Sequence, residues 1–193
     1  MVRRRRLAIA LLGAAVVIAL AAPTRSLAAE FTYSETGELA GISLDTQVFT
    51  VNAGTIECAA GTASGEVAST DFTRQRMTVT YGGCAAFGIA DVHISPAKYM
   101  FLATGAVEVL EPLTINVTIP LLPDCQITVP AQTAEGIAYS NNSGKVVVTA
   151  HVSGISYAIS GNTLLCGSSG GNGTYTGSGE VWRVGGGSVG FDP

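Results

Sequence analysis

The sequence predicts an all-β protein, an antiparallel β-sandwich or irregular barrel, preceded by an N-terminal signal-peptide helix. Three observations carry this. From residue 30 onward apolar residues recur with a period of two, not 3.6. The apolar segments are short, rich in Val, Ile, Thr and Tyr, and punctuated by Gly, Pro, Asn and Ser at spacings near ten residues. Four cysteines follow an export-type leader, the arrangement expected of a disulfide-stabilised domain from an oxidising compartment.

The leader comes first. Arg3 to Arg6 form a positive n-region, Leu7 to Ala22 form an apolar run, and Pro23 ends it. Ser26 and Ala28 then place small residues at the −3 and −1 positions of a cut between Ala28 and Ala29. Retention as a membrane anchor is the alternative, but the run is shorter than the roughly 20 apolar residues of a span. Membrane contact is thus expected only through the leader, before cleavage, and the mature protein is expected outside the cytoplasm.

Within the expected domain, residues 29–184, strands are predicted at Gln47–Val51, Arg76–Tyr81, Ile89–Ile94, Lys98–Leu102 and Ala106–Leu110. Leu113–Ile119 alternates apolar and polar residues over seven positions, as a half-buried strand does. Gln126–Val129, Lys145–Val152, Ile155–Ile159 and Tyr175–Val184 complete the set. Turn chemistry lies between them at Gly82-Gly83, Ser95-Pro96, Asn141 to Gly144 and Gly161-Asn162. A weak internal similarity places a possible seam between two β-subdomains near Glu111-Pro112, and one continuous sandwich is the preferred arrangement. Gly167–Gly179 is expected as loop and strand edge, and residues 185–193 as a flexible Gly-rich tail.

Charge narrows the function. All 14 acidic residues but only 5 of the 10 basic ones follow residue 28, so the mature chain is acidic and cannot neutralise a run of phosphates. Nucleic acid is excluded as a partner. Cell-envelope or glycan contact remains open.

Cys58, Cys84, Cys125 and Cys166 contain no Cys-x-x-Cys pair, so neither a thioredoxin-like redox site nor a zinc knuckle is predicted. Four cysteines allow three pairings. Loop closure favours the sequential one, Cys58–Cys84 and Cys125–Cys166, because its loops are far shorter than the span from Cys58 to Cys166. Glycines beside Cys84 and Cys166 also ease the close backbone approach a disulfide needs.

Motifs that resemble chemistry are few. Gly167 to Gly171 matches G-x-S-x-G around Ser169, but no His follows it, as the α/β-hydrolase order requires. Gly185, Gly187 and Gly190 match G-x-G-x-x-G too near the end of the sequence to open a helix. Asp91 and His93 share one face of a predicted strand and are the weak candidates for an acid–base or metal site. His151 is the one further imidazole. Glu108 and Glu111 are read as solvated charges at a strand end, and Trp182 as a residue closing the core. No cofactor or resident metal is predicted, and a calcium site assembled from distant loops is left open.

Tyr81-Gly82-Gly83-Cys84-Ala85-Ala86-Phe87-Gly88 and Asp124-Cys125-Gln126-Ile127-Thr128-Val129-Pro130 resemble a group of uncharacterised exported actinobacterial proteins with paired cysteines. Val152 to Tyr157 and Gly173 to Gly177 extend the likeness. The resemblance implies export and an all-β fold and no particular activity. The group's extra cysteine pair falls at Ala97 and near Val109–Leu110 here, so a third disulfide is not carried over. The expected function is a secreted, disulfide-stabilised, non-enzymatic envelope or extracellular protein with a binding or structural role. A small secreted hydrolase with a carboxylate or assembled metal site, and a surface polymer or adhesin subunit, are the alternatives.

Overall fold

Two long antiparallel strand pairs form the frame of the molecule. The computed structural model describes residues 28–67, 71–86, 90–161 and 166–193; the leader up to Leu27, with its expected signal-peptide helix, lies outside these residues. In chain order the strands are β1 (Glu30–Tyr33), β2 (Glu38–Ser43), β3 (Gln47–Val51), β4 (Gly54–Glu66) and β5 (Arg74–Ala86). Next come β6 (Ala90–Ile94), β7 (Ala97–Leu102), β8 (Ala106–Val109), β9 (Leu113–Thr118) and β10 (Cys125–Val129). The last five are β11 (Gln132–Glu135), β12 (Ile137–Asn142), β13 (Lys145–Gly161), β14 (Gly170–Arg183) and β15 (Val189–Asp192). The all-β antiparallel class predicted from the sequence is the class observed.

The long strands β4, β5, β13 and β14 pair as β4–β5 and β13–β14, and short strands join the two pairs differently at each end. At one end β3 bridges β14 to β4, while β6, β9 and β10 bridge β5 to β13. Eight strands close into a ring there, which leaves none of them an open edge. All four cysteines lie at this end, hereafter the disulfide lobe. At the other end β2 bridges β14 to β4, while β7, β8, β11 and β12 bridge β5 to β13.

The second ring closes through Gly136, which separates β11 from β12. Its N–H donates to the Gly105 carbonyl, and its own carbonyl accepts from the His151 N–H. Gly136 has φ 113°, and a Cβ there would collide with the His151 carbonyl oxygen. Glycine is required at that junction. Just beyond it, the Gln132 carboxamide accepts from the Ser156 N–H and donates to the Ser156 carbonyl. A side-chain amide thereby continues the ladder where β10 has left β13.

Side-chain orientation changes phase between the lobes. On β13 a bulge falls between Val152 and Ile155, where Gly154 has φ 72°, and both flanking residues stay buried. The larger core cluster centres on the disulfide lobe and includes Ile56, Ile94, Ile115, Val117, Ile127 and Ile155. The smaller one consists of Leu39, Val67, Met77, Val146 and Val189.

A separate two-stranded ribbon, β1 with β15, covers the second end, hereafter the ribbon lobe. Phe31, Phe191 and Tyr139 stack there with ring centroids 4.9–5.7 Å apart. The Asn141 side chain hydrogen-bonds both the N–H and the carbonyl of Phe191. This corrects the reading of residues 185–193 as a flexible tail. Gly185, Gly186 and Gly187, all at positive φ, turn the chain, and the Arg183 guanidinium holds the turn through Gly186, Thr36 and Glu35. The glycines that resemble a linker are the turn that lets β15 reach β1. Gly167–Gly179 is corrected likewise. From Gly170 on it belongs to β14, which pairs with β13, β2 and β3.

Candidate functional site

The sequence-predicted residues point away from the barrel interior. Asp91 and His93 are exposed on the outer face of β6, opposite Thr118 and Asn116 of β9. His151 is exposed on β13, three strands away along the β6–β9–β10–β13 path and displaced along β13 from Ser160, the residue in register with His93, by about 30 Å at 3.3 Å per residue. Glu108 sits on β8 opposite Met100, and Glu111 pairs with Lys98 at 2.8 Å. These groups are not brought into one cleft. Among the described residues, no group of three or more His, Cys, Asp or Glu side chains is placed to hold a metal ion. Ser169 has a structural contact: its Oγ accepts the Ile159 N–H at 2.8 Å. Trp182 does not close the core. Alternation along β14 puts Val181 inward and Trp182 outward, where the Lys145 ammonium lies 5.3 Å from its ring centroid and also pairs with Glu180.

Two disulfides are formed. Cys58–Cys84 links directly opposed residues of β4 and β5. Cys125–Cys166 ties the start of β10 to the residues just before β14. Ala28 is exposed, and Ala29 leads directly into β1.

The polar chemistry of the interior lies at the waist between the lobes. β2 leaves its neighbours at Ser43, and β3 takes up pairing again at Gln47. The intervening turn leaves a gap in the wall beside Gly61 and Gly177. Side chains plug this gap. The Ser43 hydroxyl accepts the Gly61 N–H at 2.8 Å, and the Asp45 carboxylate accepts the Ser178 N–H and hydroxyl at 2.7 and 2.8 Å. Gln47, 7% exposed, donates from Nε2 to the Asp45 carbonyl, the Asp45 carboxylate and the Ser178 carbonyl. Its Oε1 accepts the Tyr175 hydroxyl. A Cβ on Gly177 would occupy the space of the Gln47 carboxamide, so the glycine creates the seat for that side chain.

Tyr175 continues the network inward. Its ring meets that of Tyr81 edge-on at 6.3 Å, and the Tyr81 and Tyr99 hydroxyls are 3.1 Å apart. Burial raises the pKa of all three above the ordinary phenol value, and for Tyr81 the neighbouring Tyr99 and Tyr175 add to the rise. They are neutral phenols at physiological pH. No buried side-chain polar atom among the described residues lacks a hydrogen-bond partner.

On either side of this waist lies a cavity. A cavity of about 140 Å³ lies in the ribbon lobe and one of about 70 Å³ in the disulfide lobe, and Gln47, Tyr81, Tyr99 and Tyr175 border both. The larger cavity exists because one wall lacks bulk: Gly41, Gly61, Ala63, Gly177 and Gly179 line it from β2, β4 and β14. Met77, Phe101 and Val146 also line it. Sequence reading missed this site. Its signal, inward glycines on strands that also carry Tyr and Gln, becomes meaningful only once the pairing of β2, β4 and β14 is known.

Comparison of the chain with protein-family models, with curated proteins and with solved structures finds no match in any of the three.

Proposed function

We propose that this is an exported, extracytoplasmic, non-enzymatic protein whose disulfide-stabilised barrel serves as a binding module. The observation that carries the reading is a division of labour in the barrel wall. Outward positions hold the scattered ionisable groups, and inward positions hold an apolar cavity with a neutral, hydrogen-bonded floor. Hydrolysis by paired carboxylates or by an imidazole needs those groups to converge on one bond, and the Asp91–His93 pair, His151 and the Glu108–Glu111 pair sit on separate stretches of the outer surface. In the disulfide lobe, strand closure leaves no open edge of the kind a polymer or adhesin subunit would extend. Export is supported by the leader, by the two disulfides and by the resemblance to exported actinobacterial proteins.

The test is the state of the protein recovered outside the cytoplasm. The expected product begins at Ala29 by N-terminal sequencing, and its intact mass shows no free thiol. A cytoplasmic product retaining Met1 with four free thiols overturns the reading.

A further inference from the structure

We propose that the ribbon-lobe cavity is a binding site for a small single-ring hydrophobic molecule carrying one hydroxyl group, taken up with its ring against the glycine wall and its hydroxyl toward Tyr99. The proposal rests on the reading of the barrel as a binding module and names what it binds.

Size sets the class of ligand. Cavities of about 150 Å³ lined by aliphatic and aromatic side chains hold a benzene-sized molecule, and this one measures about 140 Å³. A long acyl chain does not fit such a volume. Wall composition sets the orientation. Gly41, Ala63 and Gly179 leave one side with little side-chain bulk, a shallow surface for a ring, while Met77 and Phe101 add thioether and aromatic contacts elsewhere on the lining.

The hydroxyl preference follows from the phenols that border the cavity. Gln47 spends its Nε2 donors on Asp45 and Ser178, which turns its carbonyl oxygen toward Tyr175. Tyr175 donates to that oxygen. Tyr81 and Tyr99 share one hydrogen bond at 3.1 Å, in which either hydroxyl can be the donor. Each phenol has one proton and more than one lone pair. One hydroxyl of this pair therefore keeps its proton unspent, and lone pairs remain on both, beside the cavity that they border. The pair can both donate to and accept from a ligand hydroxyl, so the site favours a phenol over a hydrocarbon of the same size.

The experiment uses the exported protein with both disulfides intact and p-cresol, toluene and decanoate as probes. At 100 times its dissociation constant, p-cresol is expected to raise the melting temperature by about 5–10 °C. Ala63→Leu and Val79→Phe, which fill the cavity from neighbouring positions on β4 and β5, should each weaken p-cresol binding at least tenfold. His93→Ala, on the outer face of β6, should leave it unchanged. Tyr99→Phe should weaken p-cresol at least fivefold and change toluene affinity less than twofold. The proposal is overturned by the absence of a p-cresol shift, by equal binding to the filled variants, or by a decanoate shift as large as that of p-cresol. A protein that is exported and oxidised but ignores p-cresol removes this site and leaves the proposed location intact. A cytoplasmic, reduced product removes the location, and p-cresol binding by oxidised protein is still read independently.

Discussion

The two lobes share four strands and solve the problem of filling a barrel in opposite ways. In the disulfide lobe the inward positions carry Ile56, Ile115, Val117 and Ile127, all 2% exposed or less, and both disulfides brace the wall. In the ribbon lobe the corresponding positions of β2, β4 and β14 include Gly41, Gly61, Ala63, Gly177 and Gly179, no disulfide is present, and a ribbon made from both ends of the domain forms the cover. Interiors normally pack to crystal-like density. A wall of glycines forgoes that packing, and a half-filled lobe held by a rigid neighbour is the arrangement expected of a binding site. The lesson is that the disulfide lobe supplies stability and the ribbon lobe supplies room.

The sharpest way to break this comparison is to remove the braces. In the loop-entropy account, bridges closing loops of 26 and 41 residues contribute about 3.5–4 kcal/mol each. Replacing all four cysteines by serine should therefore unfold most of the protein at 37 °C, as denaturation followed by circular dichroism would report. A variant within 1 kcal/mol of the parent would mean that the bridges do not hold the disulfide lobe.

A truncation in each core comes next. Ile115→Ala in the disulfide lobe should cost about 3–4 kcal/mol, because truncating a 1%-exposed side chain removes a large buried contact and enlarges the small cavity that it borders. Val79→Ala, beside the existing cavity of the ribbon lobe, should cost about 1 kcal/mol. Urea unfolding of both variants measures the contrast, and equal losses would erase the distinction between the lobes.

That contrast also explains what could be read in advance. Strands rich in β-branched residues, such as Leu113–Thr118 and Lys145–Gly161, are visible because their alternation records burial on one face. β4 reads Gly-Thr-Ile-Glu-Cys-Ala-Ala-Gly-Thr-Ala-Ser-Gly-Glu and passes for a loop. Its small residues form the ribbon-lobe wall, where an absent side chain is the functional feature and leaves no hydrophobic period. β15 was hidden behind three glycines, and β1, β2, β11 and β12 are short or polar enough that only their partners define them. The candidate site stayed illegible for the same reason. Gln47, Tyr81, Tyr99 and Tyr175 are brought together by pairings spanning up to 128 residues. Asp91 and His93, adjacent on one strand face and easy to notice, face solvent.

Alkaline pH tests the waist directly. Tyr33, Tyr81, Tyr99, Tyr139 and Tyr175 all have pKa values raised chiefly by burial, and they lie at the waist or in the ribbon lobe. A phenol whose folded pKa exceeds its unfolded value near 10 contributes stability in full below pH 10. That contribution falls as pH rises toward the folded value. Stability should thus be flat from neutrality to about pH 10 and then decline by about 1.4 kcal/mol per pH unit for each such tyrosine. Phenolate absorbance should appear together with unfolding. Tyr99→Phe should make the decline shallower, and phenolate forming at pH 10 in a folded protein would show the waist to be open to water.

The smallest effects belong to the outer surface, where the two lobes should behave alike. Lys98–Glu111 joins two side chains that are 44% and 56% exposed, so water screens their attraction and ordering both chains offsets most of the gain. Glu111→Gln should change stability by no more than about 0.3 kcal/mol, an effect that disappears in 0.5 M salt. Lys145–Glu180, on the outside of the ribbon lobe, differs because Glu180 is only 12% exposed and the same ammonium lies over Trp182. Glu180→Gln retains the hydrogen bond and loses the charge, so a cost of about 0.5–1 kcal/mol is expected. It should persist in salt more than that of Glu111→Gln. Paired urea titrations at 0.05 and 0.5 M salt separate the two variants. Glu180→Gln should also leave p-cresol affinity within twofold, because Lys145 and Trp182 hold the outer face of β14 while Gly177 and Gly179 shape its inner one. A larger change in affinity would mean that the two faces of this strand are coupled, and that the half-filled lobe is less rigidly held than its neighbour's bracing implies.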